Sequence, residues 1–375
     1  MLKKLILKNF KTFKSETLID FEATKFKGIA EDNVCDGIVK GGVILGSNGV
    51  GKSTILEAIG LLLKLLLSDI KTELSYFVCM FGENDKSTLK YEFSINKDLI
   101  TYSFTFNKEN IILEENLLVN GKTFLTRNLK HAVINNKNEK IKYDAENYDN
   151  STLFLRKYYF ATKFTNSKTL RDWMQFLENS TYFNAFNRIS MIYNHNRKAT
   201  TDFYKEAENI EYANKMLFDN GFLTKIKCEV TTDNKKLISM KKGNLDCWIP
   251  LELESEGNYT LLNMLPILKH AVSANGIFLF DEFSGGFSNE LEEFIISFLM
   301  KNIDHSQAFF VTHSTNVLKS SIIRPDQIYN IIFSNEEGVS VVRASSESPR
   351  ETQNYEKMYL GGVFGKRTKY GKGNN

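Results

Sequence analysis

Apolar and polar residues alternate from the start of the chain. Over residues 2–22 the apolar positions are Leu5, Ile6, Leu7, Phe10 and Phe13, then Leu18, Ile19 and Phe21, which predicts one or two strands. A second alternating block covers 88–126, through Tyr91-Glu-Phe-Ser-Ile, Thr101-Tyr-Ser-Phe-Thr-Phe, Ile111-Ile-Leu and Leu117-Leu-Val. Asn96-Lys97-Asp98, Asn107-Lys108-Glu109 and Asn120-Gly121 punctuate it. Such residues accept the positive φ of tight hairpin turns, so the block predicts an antiparallel β lobe. Residues 130–150 are polar and rich in Asn and Lys, which predicts loop. From about 151 to 220 the spacing turns helical, through Leu170, Trp173, Met174, Phe176 and Leu177 and again from Tyr204 to Leu217. This predicts a helical insertion. Residues 222–253 return to strands. A helix (258–272), a very apolar strand (277–280), a helix (289–302) and another apolar strand (308–312) follow. Strands alternating with helices imply a parallel sheet covered on both faces.

The pattern predicts an α/β protein with a parallel core sheet, an antiparallel β lobe and a helical insertion. Its expected parts are 1–150, 151–220 and 221–375. No fixed-period repeat and no sustained heptad run appears.

Composition adds limits. There are 48 basic and 45 acidic side chains, a net charge of +3, which neither requires nor excludes a nucleic-acid partner. The basic excess gathers in the tail at Lys366, Arg367, Lys369 and Lys372, whose plain reading is a solvated, frayed terminus. Cys35, Cys79, Cys228 and Cys247 lie far apart without metal-ligand spacing, which suits reduced thiols in a cytosol. The start shows no signal-peptide core, and the most apolar run, Ile55 to Leu67, holds Glu57 and Lys64. That run is too short and too charged to span a bilayer, so the expected location is cytoplasmic.

The chemistry begins at Gly46-Ser47-Asn48-Gly49-Val50-Gly51-Lys52-Ser53-Thr54. This is a complete P-loop between an apolar strand (Gly42-Val-Ile-Leu45) and a helix opening at Ile55. Its glycines let backbone N–H groups turn onto phosphate oxygens, and the helix N-terminus adds a positive dipole end. Lys52 can reach β- and γ-phosphates, and the Ser53 hydroxyl can ligate Mg²⁺. Ile277-Phe-Leu-Phe280-Asp281-Glu282 puts two carboxylates at the C-terminal end of a buried strand, where an α/β sheet places its ligands. Asp281 is expected to hold Mg²⁺, directly or through water. Glu282 is expected to orient or deprotonate the attacking water. Phe309-Phe-Val-Thr-His313 ends a second apolar strand in an imidazole that can contact the γ-phosphate or that water. Ser255 and Gly257, in Glu254-Ser-Glu-Gly257, precede a helix. Alone, this element reads as a capped helix.

The order of these elements resembles the ABC-type ATPases of the SMC/RecF and OLD group. Within them the chain is most similar to the RloA/AbiL-like abortive-infection ATPases. The matching residues are Leu7-Lys-Asn-Phe-Lys-Thr-Phe13, the P-loop, and Glu254 to Gly257 followed by Leu261 to Leu268. Phe280-Asp-Glu-Phe283, Val311-Thr-His-Ser314 and Glu356 to Gly365 also match. The resemblance implies an ABC-type P-loop head that binds ATP and Mg²⁺. It implies that Asn48 and Lys11 touch phosphate or its surroundings, and that Ser255 and Gly257 bind the γ-phosphate held by a second subunit. ATP would then join two heads as a homodimer, or a higher oligomer, with composite sites. Three departures stand out. No glutamine lies between Lys52 and Trp173 to serve as the usual Q-loop ligand. Phe283-Ser-Gly-Gly-Phe-Ser-Asn289 is an atypical D-loop, and the transporter form Leu-Ser-Gly-Gly-Gln is absent.

The resemblance implies an ATP hydrolase of a bacterial anti-phage defence system, whose ATP-driven dimerisation gates a separate effector encoded nearby, such as a nuclease or toxin. The stretch after His313 is short for a nuclease domain. The aromatic-rich 151–220 segment is the expected partner surface. The alternative is a RecF-like DNA-repair or DNA-binding ATPase. Absent heptads disfavour a long coiled-coil arm but leave an arm-less binder open.

Overall fold

The computed structural model describes residues 1–365, except 27, 83, 137–138, 145–147, 186–188, 193–199, 231–235, 286–287, 335–337 and 351–352. The basic tail from Lys366 therefore lies outside the described residues, as do Gly286 and Phe287 of the atypical loop.

A seven-stranded sheet forms the centre. Its spatial order is Ile189–Ile192, Thr181–Asn184, Ile277–Asp281, Gln307–Val311, Gly41–Gly46, Ile328–Ser334 and Gly338–Arg343. The middle five strands run parallel, and the two edge strands pair antiparallel. Every residue of Gly41–Gly46, Ile277–Asp281 and Gln307–Val311 is buried, because helices or sheet cover both faces. Alternation divides their side chains between two cores. Ile44, Ile277, Leu279, Phe309 and Val311 join one core, while Val43, Leu45, Phe278, Phe280 and Phe310 join the other. The first core holds the buried helix Lys52–Leu67, whose other side meets the antiparallel sheet. The second holds the helices Glu256–Ser273 and Asn289–Asn302.

The antiparallel sheet has eight strands, ordered Glu139–Asp144, His131–Asn136, Lys122–Arg127, Ile112–Val119, Asp98–Asn107, Lys86–Ile95, Leu2–Lys8 and Thr17–Asp20. Its turns fall at the expected residues. Asn96 and Lys97 have φ of 50° and 70°, and Asn120 and Gly121 have φ of 49° and 74°, the paired left-handed geometry of a tight hairpin. Gln307 fastens this sheet to the core. Its Oε1 accepts from Leu2 N at 2.6 Å, and its Nε2 donates to Leu2 O at 2.9 Å and to Val39 O at 3.2 Å.

Two segments differ from the sequence reading. His131–Asn136 and Glu139–Asp144 are strands rather than loop. Ala132 and Ile134 face the core while the polar neighbours face outward, so the Asn and Lys content marks a solvated face. The segment 151–220 is helical at Phe154–Thr162, Lys168–Glu178, Thr200–Phe203 and Ala207–Asp219, but it also supplies Thr181–Asn184 to the centre of the fold. Of the aromatics there, Phe154, Tyr159, Trp173, Phe176 and Phe183 are buried, and Phe160 is 40% exposed. The expected strands between 222 and 253 are Thr224–Val230, Lys236–Lys242 and Ile249–Pro250, in a separate small sheet.

Candidate functional site: a phosphate loop facing two carboxylates

The C-terminal ends of four parallel strands meet at one place. Gly41–Gly46 leads into the P-loop, whose Gly46, Gly49 and Gly51 have φ of 148°, 77° and 95°. Gly51 also lacks room for a side chain: a Cβ there would lie 2.2 Å from Thr12 Oγ1. Thr12 Oγ1 is in turn 3.3 Å from Thr54 Oγ1, so the turn after the first strand backs the loop. Asn48 and Gly49 are exposed at its tip, whereas Lys52 is 6% exposed, and its Nζ donates to Ser47 O at 3.0 Å. Burial lowers the Lys52 pKa, and the nearby Glu282 and Asp281 charges oppose that fall.

Asp281 is the centre of the constellation. It is 4% exposed, and its Oδ1 accepts from Ser53 Oγ at 2.8 Å and from Glu282 N at 3.1 Å. Its Oδ2 accepts from the Tyr182 hydroxyl at 2.8 Å. Burial and the Asp281 charge push the Tyr182 phenol well up, so it is a donor at all ordinary pH. Glu282 sits at φ 49°, a left-handed conformation that costs a non-glycine residue about 1–3 kcal/mol. Gly285 N donates to Glu282 O at 3.0 Å and closes the turn that holds it.

His313 follows the buried strand Gln307–Val311, and its N donates to Ser284 Oγ at 3.1 Å. Desolvation lowers the imidazole pKa, the Lys52 charge lowers it further, and Glu282 opposes both. Behind it the Thr312 hydroxyl donates to the buried Glu292. Thr315 Oγ1 donates to Glu356 at 2.6 Å, tying the late helix Tyr355–Leu360 to the same loop.

Lys52, Ser53, Asp281, Glu282 and His313 thus come together from segments as much as 261 residues apart (52 to 313). Lys11 pairs with Glu57 on the helix behind the P-loop, and its Nζ lies 5.3 Å from the centre of the Phe77 ring. Ser255 and Gly257 lie at the start of Glu256–Ser273. Among the described residues no hydrogen bond or ion pair joins them to the P-loop. Ser255 occupies the N-cap position, but its hydroxyl makes no capping bond. Glu254 instead accepts from Ser255 N at 3.2 Å and Asn258 Nδ2 at 2.8 Å and pairs with Lys242 at 3.0 Å. A Cβ at Gly257 would meet nothing within 4 Å.

Two members of the site are absent from the motif reading. The strand Thr181–Asn184 runs parallel beside Ile277–Asp281 with Tyr182 opposite Leu279 and Asn184 opposite Asp281. It therefore delivers Tyr182 and Asn184 to the carboxylate end. Locally it is only the four residues Thr-Tyr-Phe-Asn, too short to stand out as a strand in a helical stretch.

Comparison with known proteins agrees with this geometry. Residues 43–319 match the family described as "AAA domain, putative AbiEii toxin, Type IV TA system". No curated protein matches the sequence. Among solved structures, the chain is similar to the SMC head domain from Thermotoga maritima, with 15% identity, TM-score 0.50 and coverage of 91% of this chain and 98% of that one. It is also similar to an SmcHead bound to the C-winged helix domain of ScpA, at 16% identity and TM-score 0.54, covering 91% and 96%. An Smc head domain with an extended coiled coil, bound to the C-terminal domain of ScpA derived from Pyrococcus furiosus, matches at 12% identity and TM-score 0.50, covering 91% and 95%. These likenesses establish the fold of an ABC-type P-loop ATPase head. Among the described residues, no helix is long and apolar enough to cross a membrane. Because the matched span runs from the P-loop strand past His313, the chain belongs to this AAA domain family and has the fold of an ABC-type P-loop ATPase head.

Proposed function

We propose that the chain is the Mg²⁺-dependent ATPase subunit of a bacterial anti-phage defence system of the RloA/AbiL-like kind. ATP joins two heads, and their closure gates a separate effector such as a nuclease or toxin. The observation that carries the reading is the Ser53–Asp281 pair beneath the P-loop. A hydroxyl and a carboxylate oxygen 2.8 Å apart are the hard oxygen donors that Mg²⁺ takes alongside phosphate. Bound there, Mg²⁺ supplies positive charge against the β- and γ-phosphates of ATP. Lys52 adds a second cation at those phosphates, and backbone N–H groups from Gly46 to Thr54 line the remaining oxygens. Glu282, held off the strand by its left-handed backbone, orients the attacking water or takes its proton. His313, neutral at pH 7 because burial and Lys52 disfavour its cation, contacts the γ-phosphate or the water without adding a charge.

Dimerisation rests on Ser255 and Gly257. Neither bonds to its own P-loop among the described residues, and Gly257, at a helix start, leaves open space for a phosphate. Two of the similar SMC heads are bound to ScpA domains, which supports a protein partner for this head as well. Light scattering on Glu282→Gln should show a dimer with ATP and a monomer without it. If the protein is dimeric throughout, mixing Lys52→Ala with Ser255→Arg chains should restore one composite site and partial ATPase activity. A monomer under both conditions refutes the ATP-joined dimer. Co-purification with the product of the neighbouring gene tests the effector, and its absence together with ATP-dependent binding to DNA would favour the RecF-like alternative.

A further inference from the structure

On the edge opposite the phosphate loop, a short hairpin and the turn entering the histidine strand place three different ligand types together. The hairpin is Val34–Cys35 paired with Ile38–Val39, and its turn carries Asp36 at φ 48°. The turn before Gln307–Val311 carries Asp304 and His305, the latter at φ 49°. Cys35 Sγ lies 3.3 Å from His305 Nδ1, and Asp36 Oδ2 lies 3.7 Å from the same nitrogen. One ligand atom each from Cys35, Asp36 and His305 falls within 4.8 Å of the other two.

These distances are close to the edges of a metal tetrahedron. With Zn–S near 2.3 Å and Zn–N and Zn–O near 2.0–2.2 Å, the S···N and N···O edges come to about 3.5 and about 3.3 Å. Asp304 Oδ2 lies 3.7 Å from His305 Nε2, beyond hydrogen-bond reach, and adds negative charge beside the cluster. Thiolate, imidazole and carboxylate together suit Zn²⁺ rather than Mg²⁺, which takes oxygen donors. Asp36 and His305 also line a cavity of about 550 Å³, which leaves room for water as a fourth ligand.

We propose that Cys35, Asp36 and His305 form a Zn²⁺ site. Binding replaces the Cys35 thiol proton, which passes to solvent, with a Zn–thiolate bond. The metal fastens the 34–39 hairpin to the turn entering the strand that holds Gln307 and leads to His313. It therefore stabilises the junction where the antiparallel sheet joins the core.

The test uses the full chain stripped of metal with a chelator and titrated with Co²⁺ as a spectroscopic substitute. The expected result is one equivalent bound, with the visible bands of tetrahedral Co²⁺ and a near-ultraviolet thiolate charge-transfer band, all displaced by Zn²⁺. Cys35→Ser should lose the charge-transfer band. His305→Ala should weaken binding at least tenfold, and Asp36→Asn should weaken it while keeping the band. All three residues are partly or fully exposed, so the variants retain the fold, which circular dichroism verifies. A missing charge-transfer band in the wild type overturns the proposal. So does unchanged affinity in both Cys35→Ser and His305→Ala.

Discussion

Replacing Tyr182 with Phe separates metal positioning from nucleotide binding. The ring stays and keeps its packing against the first core, while the hydroxyl that donates to Asp281 Oδ2 at 2.8 Å is lost. Asp281 then keeps Ser53 Oγ and Glu282 N, both on Oδ1, and its other oxygen loses its anchor. A hydrogen bond to a charged group contributes about 1.5–3 kcal/mol. Tyr182 is only half-buried, so the lower figure applies, and about 1.4 kcal/mol corresponds to a tenfold change in an equilibrium constant. The Mg²⁺ concentration giving half-maximal binding of a fluorescent ATP analogue should therefore rise roughly tenfold in Tyr182→Phe, in line with the usual effect of removing a metal ligand's partner. Affinity for the analogue in excess chelator should stay the same, because no phosphate contact is removed. An unchanged Mg²⁺ midpoint refutes the argument, as does an equal loss of affinity with and without Mg²⁺.

Lys52→Ala should abolish ATP binding in an equilibrium assay, whereas Glu282→Gln should bind ATP and stop turnover; wild-type turnover in Glu282→Gln would remove the proposed role of that carboxylate. Gly51→Val puts a Cβ 2.2 Å from Thr12 Oγ1 at φ 95°, so ATP affinity should fall at least tenfold, read by the same fluorescence titration. Glu115 accepts from Tyr102 OH, Phe154 N and Leu155 N and pairs with the fully buried Arg127, so Glu115→Ala should cost about 3–5 kcal/mol in urea unfolding by leaving that guanidinium uncompensated. The His313 pKa is lower in the folded protein than its ordinary 6.5, so the unfolded chain binds the extra proton first. The stability His313 contributes is present above 6.5 and lost as pH falls through the folded value; wild type should therefore lose stability relative to His313→Gln on acidification, and a difference independent of pH would contradict this.

The parts of this site that sequence reveals are those written in consecutive residues. Gly46 to Thr54 names its own loop, and Ile277 to Glu282 and Phe309 to His313 announce buried strands by unbroken apolar runs ending in chemistry. Tyr182 is different: its role exists only because its strand runs parallel beside one almost a hundred residues later, and nothing in Thr181–Asn184 encodes that neighbour. Cys35 and His305 are hidden in the same way, since spacing along the chain finds only ligands that are local. The strands at 131–144 escaped because a solvated edge lets Asn and Lys occupy the outward positions, leaving Ala132 and Ile134 as a faint inward pattern. Ser255 kept its expected place at a helix start but not the expected capping bond.

The contact between Gly51 and Thr12 bears on how this chain can be divided. The floor of the nucleotide loop belongs to the turn after the first strand, and Lys11 in that turn is paired with Glu57 on the loop's own helix. Gln307, at the far end of the histidine strand, grips the same first strand through Leu2. The first strand and its turn are thus a structural part of the nucleotide-binding core. A truncated chain starting at the P-loop strand would lack the backing of its own phosphate loop. A shortened version could keep both only if the first strand and its turn were supplied again, as a separate peptide or by circular permutation.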